Sequence, residues 1–287
     1  MSEASGKRDY TIWLCALGYF ACYVPYSALT KALSKGQIAG MPRPLTGFEI
    51  LPISVLASMV GMYVFLSMMG WWRFASHREV LGRSIPIPGL WTFLSGLCTA
   101  AIIATTTLAY TFSGVSIVFV MLLMRGGVLI IAPMVDVLSG RKVRWFSFAG
   151  LGLSFAALLA AFSARSGYNI TLLCAVDIAI YLASYFVRLR FMSGKAKSDP
   201  NTNRRYFVEE QMVATPTVVL LCGLLALIGD GPVMMELRYG FTRVWTNPAI
   251  LQTLLVGILS QGTGIFGGLI LLDPRENTYC VPVNRSS

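Results

Sequence analysis

The sequence predicts an all-α integral membrane protein, and three observations support this class. Hydrophobic residues make up 55% of the 287 residues and charged residues 13%, about half the charged fraction that is typical of soluble domains. The mean hydropathy is +0.66. The apolar stretches are near-continuous and about 20 residues long, which is the length that a helix needs to cross the hydrocarbon core. Barrel strands would alternate apolar and polar residues instead, so the predicted spans are helices.

About eight stretches are predicted to span the membrane. The first follows Lys7 and Arg8 as a signal peptide would, but it is too long for one and lacks a convincing small-residue cleavage site, so we expect a retained helix. The predicted bounds are Tyr10–Leu33, Phe48–Trp71, Leu90–Tyr110, Val115–Leu138, Trp145–Ser163, Ile170–Val187, Phe207–Ile228 and Ala249–Leu272.

The distribution of basic residues predicts the orientation. With the N-terminus in the cytoplasm, most of the 23 Lys and Arg residues fall in cytoplasmic loops, as the positive-inside rule requires. This predicts a multi-pass protein of a bacterial inner membrane or an endomembrane. The basic residues are spread over several loops rather than gathered into one stripe with aromatic residues, so no nucleic-acid partner is expected.

An internal duplication is indicated by similar residues that recur about 160 positions apart. The recurring pairs are Glu49 and Glu209, Pro88 and Pro248, Arg125 and Arg285, and, 159 positions apart, Tyr26 and Tyr185. Five spans separate the copies, and because five is odd the second copy enters the membrane from the opposite side. The sequence therefore predicts an inverted five-plus-five repeat of helices, an organisation common in secondary transporters.

The predicted halves are residues 1–163 and 164–287. Arg285 corresponds to Arg125 and would lie midway along a ninth span, yet the sequence ends two residues later. The second half is therefore expected to be incomplete, with its ninth and tenth helices missing. On this interpretation the chain is a truncated copy of a ten-helix protein.

Ionisable residues inside apolar spans are candidates for function, because inserting them into lipid is costly. Arg125 lies near the centre of the fourth span and Asp177 at a similar depth in the sixth. Arg125 either holds an anionic group of a solute, for which a guanidinium is well suited, or forms an internal ion pair with Asp177. Asp177 has three open roles, which are cavity lining, pairing with Arg125 and proton coupling.

Two polar stripes accompany these residues on apolar helices. Asp177, Tyr181, Ser184 and Arg188 are spaced to share one face of the sixth span, and tyrosines follow one face of the first span. Polar faces of this kind line cavities or bundle interiors rather than lipid. The predicted substrate-cavity residues are Arg125, Asp177, Tyr19, Tyr23, Tyr26, Tyr181, Ser184 and Tyr185.

Glu49 and Glu209 begin the second and seventh spans at opposite mouths of the predicted bundle. The simpler interpretation is a solvated acidic residue in the first turn of a helix, which the helix dipole favours. Their symmetry also suggests gates. In that hypothesis the gate residues are Glu49, Glu209, Lys31 and Arg190, with Lys31 and Arg190 as the basic partners.

No catalytic motif is found, so an enzyme is not predicted, and neither is a metal or a cofactor. His77 has no neighbours with metal-ligand spacing. The glycines Gly262, Gly264 and Gly267 match a dinucleotide-binding pattern, but that pattern requires a strand before it and a helix after it. Here the glycines lie inside a predicted span, where small residues permit close helix packing.

The stretch Thr107–Phe162 contains a helical hairpin, the segment Met124-Arg125-Gly126-Gly127, Ala132-Pro133 and a basic turn at Gly140–Val143. Together with the inverted halves, this stretch resembles the drug/metabolite transporter superfamily, which includes EamA-type permeases and nucleotide-sugar transporters. The resemblance implies ten helices around a central cavity, with Tyr26, Arg125, Asp177 and Tyr185 facing it. Two features depart from the family. Many EamA-type members carry a glutamate where this chain has Gly140, and the last two helices are missing.

The expected function is secondary transport of a small organic solute by alternating access. An anionic, nucleotide-sugar-like metabolite is one candidate. Two alternatives stay open, a membrane scaffold that transports nothing and an inactive truncated transporter, although the short loops disfavour the scaffold. The expected partners are the solute and the lipid bilayer, and a homodimer is left open.

Overall fold

The computed structural model describes residues 2–80, 83–109, 117–163, 171–197 and 199–286. Ten α-helices lie within these ranges, and a two-stranded antiparallel hairpin, β1 (His77–Val80) and β2 (Arg83–Pro86), lies between the second and third helices. The helices are α1 (Ser2–Ser34), α2 (Gly47–Met68), α3 (Leu90–Ala109), α4 (Ile117–Leu138), α5 (Trp145–Ser163), α6 (Leu172–Phe191), α7 (Pro200–Ile228), α8 (Pro232–Thr242), α9 (Ile250–Leu271) and α10 (Asn277–Ser286).

This is an α-helical, multi-pass membrane protein, as predicted. Six helical segments in the described ranges are long and apolar enough to cross a membrane: Thr11–Ser34, Gly47–Met68, Phe119–Leu138, Leu172–Ala196, Pro200–Ile228 and Ile250–Leu271. The other two predicted spans correspond to shorter apolar helices, Leu90–Thr106 and Trp145–Ala160. Tyr110, Val115 and Ile170, which bound three predicted spans, lie outside the described residues.

Three elements differ from the sequence prediction. The β1–β2 hairpin and α8 occupy segments that were expected to be loops. Helix α8 follows Gly229, whose φ of 70° ends α7, and begins with Pro232, a residue suited to a first helical turn. Helix α10 forms where no further helix was expected, because its first amides are bonded by a distant side chain that local sequence does not reveal.

Hydrogen bonds between helix ends define two faces of the bundle. Glu209, in the first part of α7, accepts a bond from the backbone N–H of Gly89, just before α3. At the opposite end, the Thr46 hydroxyl before α2 donates to Glu236 of α8 over 2.8 Å. We call the end with the hairpin and the starts of α3, α7 and α10 the hairpin face. The end with the start of α2 and with α8 is the α8 face.

Helix boundaries recur 160 positions apart. Helix α3 begins at Leu90 and α9 at Ile250, and α2 ends at Met68 and α7 at Ile228. The packing is reciprocal as well, because α1 packs against α9 while α6 packs against α3, and α2 packs against α9 while α7 packs against α3. We call α1–α5 the first set of helices and α6–α10 the second set. Helices α1 and α2 of the first set thus pack against α9 of the second set, and α6 and α7 of the second set pack against α3 of the first set.

Small residues allow α9 to approach α1 and α2 closely. A Cβ at Gly262 would lie 2.5 Å from the Sγ of Cys22, and one at Gly18 would lie 2.7 Å from the Phe266 ring. The Ser58 hydroxyl of α2 donates to the carbonyl of Gly257 over 2.7 Å. The interpretation of the α9 glycines as packing residues is therefore confirmed for Gly262.

Asp136 near the end of α4 holds the first turn of α10. Its buried carboxylate accepts bonds from the backbone N–H groups of Asn277 and Thr278, at 3.0 and 2.7 Å, and from both of their side chains. The Asn277 side chain also accepts a bond from the ammonium of Lys197 over 3.0 Å. The positive end of the α10 dipole favours a carboxylate at this place. We call this group of residues the α10 clamp.

Glu276 strengthens the attachment of α10 to α5. The half-exposed Arg144 donates to it from Nε over 2.9 Å, and the Ser147 hydroxyl donates over 2.5 Å. Burial alone would raise the pKa of Glu276, but these hydrogen bonds to the charged form outweigh burial and lower the pKa from 4.5 to about 2.

The stabilisation from Glu276 is expected to depend on pH. Because its folded-state pKa is depressed, the contribution is present above pH 4.5 and is lost as the pH falls towards 2. The melting temperature of Glu276→Gln should therefore lie below that of the wild type at pH 7, and the gap should narrow from pH 4.5 downwards. Thermal unfolding in detergent measures this gap, and one that is constant with pH would contradict the assignment.

Candidate functional site

A polar cavity of about 270 Å³ lies between the apolar helices, and α1, α2, α3, α4, α6, α7, α9 and α10 all contribute side chains to it. Its volume is near the lower end of the range for small-molecule pockets, about 300–1,000 Å³. Six of the eight predicted cavity residues line it: Tyr19, Tyr23, Tyr26, Arg125, Tyr181 and Tyr185.

Arg125 of α4 faces tyrosines of α1 across the cavity. Its Nη2 donates to the Tyr23 hydroxyl over 2.6 Å, and its guanidinium carbon lies 5.3 Å from the centre of the Tyr23 ring. The Tyr19 and Tyr23 rings are stacked with centres 5.7 Å apart. The Nε of Arg125 is buried and has no hydrogen-bond partner among the residues that the structure describes. Arg125 thus combines one neutral partner with a free donor.

Arg285 of α10 has an equivalent environment on α6. Its Nη2 donates to the Tyr181 hydroxyl over 3.1 Å, and its guanidinium lies 4.9 Å from the centre of the Tyr185 ring. Its Nε is also buried without a partner. The repeat in the sequence pairs Arg285 with Arg125, but it does not predict the position of Arg285 in the cavity, because the helix that carries this residue was not expected.

Arg188 is the third arginine of the cavity and differs from the other two. It is buried, and its Nε and Nη2 donate to the carboxylate of Glu210 over 2.8 and 2.9 Å. The hydroxyls of Ser95 and Thr99 donate to the same carboxylate. Sequence reasoning missed Glu210, although a second glutamate beside Glu209 at the start of an apolar run was a usable signal.

The cavity therefore carries net positive charge. Among the residues that the structure describes, no Asp or Glu lines it. Glu210 does not line the cavity but neutralises the charge of Arg188, whereas the hydrogen-bond partners of Arg125 and Arg285 are tyrosine hydroxyls. Neutral polar side chains that the sequence analysis did not identify complete the lining, among them Gln211, Ser260, Gln261, Thr263 and Asn284.

This geometry places three arginines, of which Arg188 is paired with Glu210, and several tyrosines in a chamber inside a membrane protein. No family model matches the sequence, and no curated protein matches it either. The resemblance to drug/metabolite transporters thus stays a prediction.

Two predicted cavity residues lie elsewhere. Asp177 and Ser184 are buried on α6 but are not among the side chains that line the cavity. Asp177 does not pair with Arg125, whose guanidinium is bonded to Tyr23 instead, and both of its carboxylate oxygens lack hydrogen-bond partners. The stripe lies on a buried face of α6, but only two of its four members, Tyr181 and Arg188, line the chamber.

Replacing Asp177 by leucine is expected to stabilise the protein. Its side chain is 4% exposed and has no partner for either oxygen, and an unsatisfied buried polar group costs about 1–3 kcal/mol. Thermal unfolding should show a higher melting temperature for Asp177→Leu, whereas the same change at the exposed Asp230 should have little effect. A lower melting temperature for Asp177→Leu would show that the carboxyl group is needed where it lies.

The gate candidates have different partners from those expected. Glu49 forms a forked pair with Arg43, with Nη1 2.9 Å from Oε2, and accepts a backbone bond from Thr46. Lys31 is exposed and makes no ion pair within the described part of the chain. Arg43 replaces it because the loop before α2 brings Arg43 to the first turn of that helix.

At the hairpin face, Glu209 connects α7 to the residues just before β1 and just before α3. It accepts bonds from the backbone of Ser76 and Gly89, from the Thr92 hydroxyl and from Arg205, one turn earlier on α7. Arg190, the expected partner, donates instead to the Ser139 hydroxyl. Glu49 and Glu209 lie at opposite faces of the bundle, but the predicted pairings with Lys31 and Arg190 are wrong.

Proposed function

We propose that this protein is a secondary transporter that moves a small organic solute across the membrane by alternating access. The observation that carries the proposal is the chamber between the apolar helices, whose wall includes arginines, tyrosines and neutral polar side chains. Such a chamber is costly in lipid, because polar groups there lose their hydration. Its maintenance is explained if a polar solute binds in it.

The arrangement of the helices supports an inverted repeat. The recurring helix boundaries, 160 positions apart, divide the chain into two sets of helices with reciprocal packing. Helices α2 and α7 begin at opposite faces of the bundle, near Glu236 and Gly89 respectively. Halves of opposite orientation with a solute site between them are a recurrent plan of secondary transporters, in which one half rocks against the other.

The hairpin face is proposed to be cytoplasmic. It carries most of the basic residues that lie outside the spans or in the terminal turns of spans, and the positive-inside rule assigns such residues to the cytoplasm. They include Arg73, Arg78, Arg141, Lys142, Arg144, Lys195, Lys197, Arg204 and Arg205. The cavity includes Thr30 and Gly47, which belong to the α8 face, so this side would then be the non-cytoplasmic entrance.

Proteoliposomes test the proposal directly. Vesicles containing the purified protein are incubated with a mixture of small metabolites, and the internal contents are measured by mass spectrometry against protein-free vesicles. At least one solute should accumulate faster with the protein. If no solute enters faster than in protein-free vesicles, the scaffold alternative is favoured.

A matched pair of variants connects uptake to the cavity. Thr106→Trp places a large side chain at the cavity wall, and Leu97→Trp introduces the same side chain at an exposed position of the same helix, α3. Uptake should be abolished by Thr106→Trp and retained by Leu97→Trp. Equal uptake by the two variants would show that the solute does not pass through the chamber.

A further inference from the structure

The two arginines with neutral partners face a common space. Arg125 and Arg285 line the same cavity, and the Tyr19 phenol is within electrostatic range of both guanidinium groups. The arginines lie 160 positions apart in the chain, on α4 and α10, which belong to different sets of helices. The cavity is thus approached by one positive group from each proposed half.

The contrast with Arg188 shows what is missing from this pair. Arg188 has a carboxylate that takes two of its donors, with further hydroxyls around that carboxylate. Arg125 and Arg285 have tyrosine hydroxyl partners and a buried Nε with no partner. Two like charges in a medium of low dielectric constant repel each other strongly. An anion between them would relieve the repulsion and take the free donors.

We propose that a carboxylate or phosphate group of the transported solute binds between Arg125 and Arg285, so that the solute bridges the two halves. The identification of the ligand as the transported solute rests on the proposed transport function, whereas binding of the anion does not require transport. A guanidinium presents its donors in a planar fork that matches both oxyanions. The hydroxyl of Tyr23 accepts a bond from Arg125, so its own proton remains available for an anion oxygen.

A binding experiment tests the charge requirement. Thermal unfolding of the detergent-solubilised protein is measured with inorganic phosphate, succinate, glucose 6-phosphate and glucose at constant ionic strength, because a ligand of the folded state raises its stability. At least one of the three anions should raise the melting temperature, and glucose should raise it less than glucose 6-phosphate. If none of the anions stabilises the protein, or if glucose matches its phosphate, the inference is overturned.

Charge-removing variants then locate the site. Arg125→Gln and Arg285→Gln should each raise the dissociation constant of the stabilising anion about tenfold or more, the loss expected for a charged hydrogen bond. Arg78→Gln removes the same charge at an exposed position of the hairpin and should leave anion binding unchanged. Unaltered binding in the double variant Arg125→Gln/Arg285→Gln would place the anion elsewhere.

The two proposals can fail separately. Anion binding that requires both arginines, without uptake of any solute by proteoliposomes, would contradict transport while leaving the anion site in place. Uptake that persists in the double variant would support the transport function and contradict the proposal that an anion bridges the two arginines. Both arginine variants should melt no lower than the wild type without ligand, because each removes a repulsive charge, and this verifies that they fold.

Discussion

Glu210→Gln is expected to lower the free energy of unfolding by about 3–5 kcal/mol, the usual effect of removing one partner of a buried ion pair. Both members of this pair are buried, with side chains that are 7% exposed for Arg188 and fully enclosed for Glu210. The substitution leaves a positive charge without a counter-charge. It also weakens the acceptor for the hydroxyls of Ser95 and Thr99. Thermal or denaturant unfolding in detergent measures the loss.

Two further variants distinguish charge pairing from packing at this site. Glu79→Gln makes the same chemical change at an exposed position in β1 and should have little effect on stability. The double variant Arg188→Met/Glu210→Met removes both charges and should recover much of the loss, since apolar replacement of a buried pair is often neutral or stabilising. A Glu210→Gln protein as stable as the wild type would contradict the pairing.

Asp136→Ala is expected to release α10 from the bundle. The carboxylate accepts four hydrogen bonds from Asn277 and Thr278, and each buried donor left without a partner costs about 1–3 kcal/mol. The variant should show faster amide hydrogen exchange over residues 277–286 and a lower melting temperature. Because α10 carries Arg285, stabilisation by added anions should also be lost.

Asp230→Ala serves as the control for this effect. Asp230 is exposed, so the same loss of a carboxylate should leave both the exchange of α10 and the anion response unchanged. If Asp136→Ala lowers the melting temperature but leaves amide exchange in α10 at the wild-type rate, the clamp does not hold this helix.

The sequence by itself determined the fold class and most helix positions. The predicted span Phe207–Ile228 lies within α7, and the predicted span Ala249–Leu272 differs from α9 by one residue at each end. Membrane insertion imposes this regularity, because every backbone polar group in lipid must be satisfied within its own helix. The length and apolar character of each stretch are therefore local properties. For the same reason, Arg125 and the tyrosine stripes could be recognised as inward-facing, since polar groups avoid lipid.

Only the tertiary structure decided which polar residues meet. Arg188 and Glu210 lie on different helices, and Asp136 is 141 positions from Asn277. Such pairings depend on the relative rotation and depth of packed helices, which the apolar composition of a span does not encode. The same dependence explains why Asp177 lies outside the chamber. By contrast, Glu49 and Glu209 bind arginines that are only six and four positions away in the chain, Arg43 and Arg205, so these two pairs are local and could have been predicted. Helix α10 needed a carboxylate from α4 to form its first turn, so its place was decided by contacts between distant parts of the chain.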